Sequence, residues 1–181
     1  ATSPLYERKV PVKETLTLKS ATFAQGRQMG KTLILPVRWN LATAKPVLGI
    51  NPAEKLLTNG IRGSLKYSDF EWCSWTNNDS VSFTIDLLKP EVLNTLTLGC
   101  ITNNGMAIHK PASVKVEVSD DNSNFREAAM QSFTPEEIFR EGNFIENLPL
   151  KLGGTQGRYV RVSAKGPGVC PASHVRSGQA S

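Results

Sequence analysis

Apolar and polar residues alternate with period two in several short runs, and each run ends at a cluster of turn formers. Val81, Phe83, Ile85 and Leu87 alternate with Ser82, Thr84 and Asp86. Leu96, Leu98 and Cys100 alternate with Thr95, Thr97 and Gly99. Val114, Val116 and Val118 alternate with Lys115, Glu117 and Ser119, and Val160, Val162 and Ala164 with Arg161 and Ser163. Period two places one face of a strand against a core and the other toward water. The runs stop at Lys89-Pro90, Asn103-Asn104-Gly105, Asp120-Asp121-Asn122 and Lys165-Gly166-Pro167-Gly168. Asn, Asp and Gly tolerate left-handed backbone, and Pro presets a turn. Short strands with such breaks predict an all-β, antiparallel jelly-roll β-sandwich, not a βαβ fold.

Helical signal is confined to two places. Thr134-Pro135-Glu136-Glu137-Ile138-Phe139-Arg140 carries an N-cap, a Pro at the first helical position and acidic residues in the first turn. Residues 53–58 could form another turn. In the first forty residues, Val10 with Val12, Leu16 with Leu18, and Leu33 with Leu35 suggest three strands, with Gln25-Gly26-Arg27 as a turn. Three strands bury too little surface for an independent domain. Residues 1–38 are therefore expected to be the C-terminal part of a preceding sandwich, and 39–181 the main domain. Residues 38–50 would be its linker and first strand, with Trp39 packed between the two modules.

Composition narrows the function. Hydrophobic residues make up 39% of the chain and charged residues 20%, values of a globular protein. No apolar run approaches the roughly 20 residues of a spanning helix, so no membrane insertion is expected. The net charge is +5, but the basic residues are scattered and never occur three in a row, so no nucleic-acid partner is expected. There are two histidines and three cysteines, with no CxxC, HExxH, GxSxG or phosphate-binding glycine motif. Asp69 and Glu71 are close in sequence, but no acidic pair has the pattern of a glycosidase cleft. Binding is the expected role, not catalysis.

Several motifs then carry a resemblance. Leu57-Thr58-Asn59-Gly60-Ile61-Arg62-Gly63-Ser64 resembles the LTDGIRGS segment of discoidin-like domains, the coagulation factor V/VIII C-type group. Trp72 and Trp75, followed by Ile85-Asp86-Leu87-Leu88-Lys89, resemble that group's W-x-x-W and IDLGK pattern. Pro111 to Asp121 resembles its P-x-x-V-x-V-x-V-S-x-D strand and turn, and Asn124-Phe125 its N-F. Arg158-Tyr159-Val160-Arg161-Val162, then Gly168-Val169-Cys170-Pro171 and His174, resemble an RYVRV strand and a GxCPxxH loop. Those last motifs are similar to the version found at the C-terminus of bacterial chitobiases (β-N-acetylhexosaminidases). Ser3-Pro4-Leu5-Tyr6, with Leu16 to Phe23 and Gly26, is similar to the end of the chitobiase C-terminal Ig-like module.

The resemblance implies a galactose-binding-like sandwich preceded by a partial Ig-like module. The family's final F-x-D-E-I strand has no counterpart before Ser181, so the sandwich is expected to lack it. It further implies a non-catalytic, monomeric accessory module of a secreted, periplasmic or cell-surface glycoside hydrolase. Such a module would bind a glycan or pack on the catalytic domain of the same polypeptide. A structural calcium is also implied near the LTDG segment. Asn59 replaces the family's Asp there, and a hard cation prefers carboxylates, so Asn59 is a weak calcium candidate.

The candidate ligand site is the loop from Arg62 to Trp75 with its neighbours. Sugars offer apolar faces for aromatic stacking and hydroxyls for hydrogen bonds. Arg62, Tyr67, Asp69, Trp72 and Trp75 supply both kinds of group, and Asn103, Asn104, His109 and His174 are expected at the same end. Each has a plainer reading. Trp72 and Trp75 fit equally well as core residues, Arg62 as a tie between loops, and His109 as a loop residue. The cysteines read most simply as buried small hydrophobes, although Cys100 and Cys170 could approach each other. Two rival functions stay open: a structural interdomain module with no ligand, and an adhesion module for protein or phospholipid using Met106 and Ile108.

Overall fold

The structure is a computed structural model that describes residues 4–7, 10–49, 56–69, 71–75 and 80–181. In chain order its elements are β1 (Leu16–Ala24), β2 (Arg27–Val37), β3 (Val47–Leu48), β4 (Ser80–Asn103), β5 (Ser113–Ser119), β6 (Arg126–Ser132), α1 (Pro135–Ile138) and β7 (Asn143–Lys165). The strands form a two-stranded sheet β1-β2 and a five-stranded sheet of order β3-β4-β7-β5-β6, with every neighbouring pair antiparallel.

β1 and β2 make a hairpin whose two turn residues, Gln25 and Gly26, both have positive φ (49° and 76°). That geometry matches the right-handed twist of the flanking strands. Leu16–Leu18 and Leu33–Leu35 lie in it as expected. Val10 and Val12 do not: no strand includes them. Pro11 between them has no N–H to give a ladder. Phe23, Met29, Leu33 and Ile34 are each more than half exposed on the hairpin.

β4 and β7 run 24 and 23 residues. Straight strands of that length would reach about 80 Å, so the pair must bend. The register breaks between Asp86 and Glu91 and again between Leu93 and Thr95. Leu88 has φ +71° on β4, and Gly153 and Gly154 have φ +64° and +78° on β7. Each strand thus divides into two arms. The expected strands Val81–Leu87 and Leu96–Cys100 are the two arms of β4. The correction concerns Lys89-Pro90, which does not end the strand: residues 87–90 bulge opposite Arg158, and pairing resumes at Glu91 with Gly157.

The arms close on one core. Phe83, Ile85 and Leu87 from the first arm of β4 cluster with Leu93 from its second arm. Leu148, Leu150 and Leu152 of β7 join them, with Val160 and Val162 of its later arm and Val114, Val116 and Val118 of β5. The three β5 valines are fully buried. Near the bend, Arg158 grips buried Asp86 with two bonds, Nε at 2.8 Å and an Nη at 2.9 Å. This hydrogen bonding holds the Asp86 carboxyl below its ordinary range.

Register also fixes which loops share an end. Ser80 of β4 and Ser113 of β5 both pair with Lys165 of β7. The chain entering β4, the chain entering β5 and the chain leaving β7 therefore meet at one edge of the sheet. The far end of the β4–β7 ribbon returns there: Arg176 Nε donates to the Gly105 carbonyl (2.8 Å). α1 stands beside this end with the expected cap. Thr134 N–H donates to Glu137 Oε2 (2.8 Å), and Glu137 N–H donates back to Thr134 Oγ1 (3.3 Å). In the other expected helical segment, 53–55 lie outside the described residues and 56–58 form one 3₁₀ turn.

Candidate functional site

The first group of candidate residues lies on the loop before β4. Asp69 organises it. Its Oδ2 accepts from the Ser64 N–H (2.9 Å) and the Ser64 hydroxyl (2.5 Å), and its Oδ1 accepts from the Glu71 N–H (3.0 Å). Burial pushes the Asp69 carboxyl up, but these bonds, with Lys66 nearby, outweigh it and keep the pKa low. The Trp72 indole N–H donates to the Ser64 carbonyl at 2.8 Å. Its ring also lies against Gly63, where a Cβ would meet the indole at 2.2 Å. Trp72 and Asp69 thus hold the loop in shape. Asn59 does similar work: its Oδ1 accepts from the Ile61 N–H (2.8 Å) and its Nδ2 donates to Glu71 Oε2 (3.4 Å). Arg62 is exposed, and Tyr67 and Trp75 are each 38% exposed. Those three present free surface on a braced loop. Phe70 lies outside the described residues.

The second group lies where the loop after β4 meets the loop after β7. Asn103 caps a 3₁₀ turn at Asn104–Met106, its Oδ1 accepting from the Met106 N–H (3.2 Å). The Asn104 amide nitrogen faces the carbonyls of Arg140 (3.0 Å) and Gly142 (3.2 Å) and donates to both. Asn103 therefore shapes the turn, and Asn104 ties it to the chain between α1 and β7. His109 stacks edge-on against Phe139 (5.0 Å) and His174 (4.9 Å). Its Nδ1 lies 2.7 Å from Ser181 Oγ. Burial, then the neighbouring His174, lowers the His109 pKa to about 4. His174 is 8% exposed, and its Nδ1 accepts the Arg176 N–H (2.9 Å). A shallow cleft of about 310 Å³ opens beside it, lined by Asn104, Phe139, Glu141, Gly142, His174 and Val175.

Sequence reasoning missed Phe139, Glu141 and Ser181 as neighbours of the histidines. No local pattern could have found them, since His109 and Ser181 are 72 positions apart. Cys100 and Cys170 are separate thiols, so the approach considered between them forms no disulfide. Met106 at the turn tip is 45% exposed. Trp39, expected between modules, is 41% exposed, and its backbone N–H donates to Thr15 Oγ1 (3.0 Å).

Comparison with solved structures returns similar chains of low identity. One is CpGH89CBM32-6 of Clostridium perfringens, 20% identical, covering 70% of this chain and 89% of its own, with TM-score 0.46. Another is chitosan-binding module 1 of a chitosanase/glucanase from Paenibacillus sp. IK-5, 18% identical, covering 71% and 87%, with TM-score 0.47. A third is the Streptococcus pneumoniae fucose binding module SpX-3, 20% identical, covering 69% and 85%, with TM-score 0.47. No curated protein matches the chain. The F5/8 type C domain does match, over residues 46–175, which spans the bent β4–β7 ribbon and most of both loop groups, and the chain therefore belongs to the F5/8 type C domain family.

Proposed function

We propose that this protein is a non-catalytic carbohydrate-binding module that serves a glycoside hydrolase. One observation carries the reading. Tyr67, Trp75 and Arg62 are all exposed on one loop that Asp69, Ser64 and Trp72 brace from within. A rigid loop at one end of a sandwich suits recognition, because little order has to be gained on binding. Aromatic faces cover the apolar side of a sugar ring, and a guanidinium donates to its hydroxyls. Within this reading the host enzyme is of the β-N-acetylhexosaminidase type, supported by the GxCPxxH-like stretch from Gly168 to His174. The module would act outside the cytoplasm, raising the effective concentration of substrate near a tethered catalytic domain.

A second reading has its own support. Trp72, Asp69, Asn59 and Asn103 direct polar groups into their own loops, and Asn104 ties its turn to the chain between α1 and β7. A purely structural interdomain module needs no more than that. Calorimetry of the full chain with galactose, N-acetylgalactosamine, N-acetylglucosamine and their oligomers separates the two. Saturable binding that Trp75→Ala weakens supports the lectin reading. Silence across all of these sugars at millimolar concentration would leave the structural module.

A further inference from the structure

From the junction of the loops after β4 and β7, we propose that His109, Cys170 and His174 form a binding site for a thiophilic d¹⁰ cation, zinc(II) being the ion that fits best. Their donor atoms all lie within 4.8 Å of one another. Donors around tetrahedral zinc sit roughly 3.5 Å apart, from bond lengths of about 2.0–2.3 Å. Modest side-chain rotation closes that difference. The residues come from two loops, 61 to 65 positions apart in sequence, and only closure of the sandwich unites them.

The polar atoms are unusual for a plain hydrophobic junction. Cys170 is 2% exposed and His174 8%. His109 Nε2 and His174 Nε2 are both buried without a hydrogen-bond partner. A buried polar nitrogen left unpaired is costly, and a fold carries few of them. Here two lie together beside a thiol, the donor set that zinc prefers. His109 has the outer support common to metal-bound imidazoles. With Nδ1–H donating to Ser181 Oγ, its Nε2 lone pair is left free to ligate. The cleft bordered by Phe139, Glu141 and His174 reaches one of the three ligands and gives an ion a way in.

His174 must change its protonation pattern on loading. Without an ion, its Nδ1 accepts the Arg176 N–H, so the proton sits on Nε2. Ligation through Nε2 moves that proton to Nδ1, and the Arg176 N–H loses its acceptor. The Cys170 thiol gives its proton to solvent as the thiolate–zinc bond forms. The Arg176 segment is a surface turn that can yield, and one hydrogen bond is given up against three coordinate bonds.

The test uses the full chain, stripped with a chelator and titrated with zinc(II) by calorimetry and with cobalt(II) by absorption. One ion per chain is expected, with a thiolate-to-cobalt charge-transfer band and the intense visible bands of a tetrahedral site. Cys170→Ser should abolish the charge-transfer band, and His109→Gln or His174→Gln should weaken zinc at least tenfold. Cys73→Ser and Cys100→Ser should change neither. In the wild-type protein, zinc should speed exchange of the Arg176 amide hydrogen and shift the His174 ring nitrogens, which simple surface binding would not do. Absence of the charge-transfer band in wild type would overturn the proposal without any variant. So would zinc binding that survives Cys170→Ser at full strength, or a band that disappears with Cys73→Ser.

Discussion

Gly63 lies directly against the Trp72 indole, so closely that a Cβ at position 63 would sit 2.2 Å from Cε2 and 2.4 Å from Nε1. The contact is tight because the same indole reaches past Gly63 to donate to the Ser64 carbonyl. Gly63→Ala should displace the indole and cost about 1–3 kcal/mol, the usual range for overpacking. Denaturant unfolding of the variant measures that loss. If Gly63→Ala unfolds like wild type, the indole does not lock this loop.

The two tryptophans should separate on mutation. Trp75 is exposed, so Trp75→Ala should change stability by no more than about 0.5 kcal/mol. Loss of one stacked ring should weaken glycan binding roughly five- to tenfold. Tyr67→Ala should behave alike. Trp72→Ala should lower both, since it removes the brace as well as the ring. Parallel thermal melts and binding titrations check the pattern. A Trp75→Ala protein that binds normally but melts early would reverse these roles.

Leu88 stands where the resembling family pattern has Gly, and its φ is +71°. An L-residue in that region is strained by roughly 1–2 kcal/mol, while Gly brings an unfolded-state entropy cost of about 0.5–1 kcal/mol. Leu88 is 55% exposed, so little packing is lost. Leu88→Gly should therefore stabilise the protein by about 0.5–1 kcal/mol, read from the urea midpoint. A destabilised variant would mean that this side chain packs against something that its exposure conceals.

Two ion pairs should contribute to acid sensitivity. The Asp86 carboxyl is lowered first by its hydrogen bonds from Arg158, and Glu117 first by its bond from Arg161 (3.0 Å). A carboxylate with a depressed folded pKa contributes stability above its unfolded pKa, near 4. That contribution is lost as pH falls from about 4 through the folded pKa. Asp86→Asn should cost about 1–2 kcal/mol at pH 7, allowing for the part-exposed Arg158. It should also flatten the fall in stability below about pH 4. Urea midpoints at neutral and acid pH give both numbers, and an unchanged acid slope would assign the effect to other groups.

Much of the local structure could be read from residues a few positions apart. Strand faces follow from alternation such as Val114, Val116 and Val118, and the helix start from Thr134 and Glu137. The Asn103-Asn104-Gly105 and Asp120-Asp121-Asn122 turns also hold, Asp121 accepting N–H bonds from Ser123 (2.9 Å) and Asn124 (2.8 Å). These depend on backbone preference and side-chain period, which a short window contains. Lys89-Pro90 was misleading because the same residues serve either to end a strand or to bend one. Which occurs depends on whether a partner strand keeps pairing beyond them, and that partner is more than sixty positions away.

The candidate site divides the same way. Its residue types were visible in sequence: aromatics and an arginine on one loop, asparagines and a histidine on another. Their use was not. Trp72 and Trp75 look equivalent in sequence, yet Trp72 is bound to Ser64 while Trp75 faces outward. His109, Cys170, His174 and Ser181 come together only because Ser80, Ser113 and Lys165 share a level in the sheet and the long ribbon folds back to that end. Alternation decided which side of each strand faces the core. Hydrogen-bond register between distant strands decided which loop tips meet, because register is a property of the paired sheet and of no single segment.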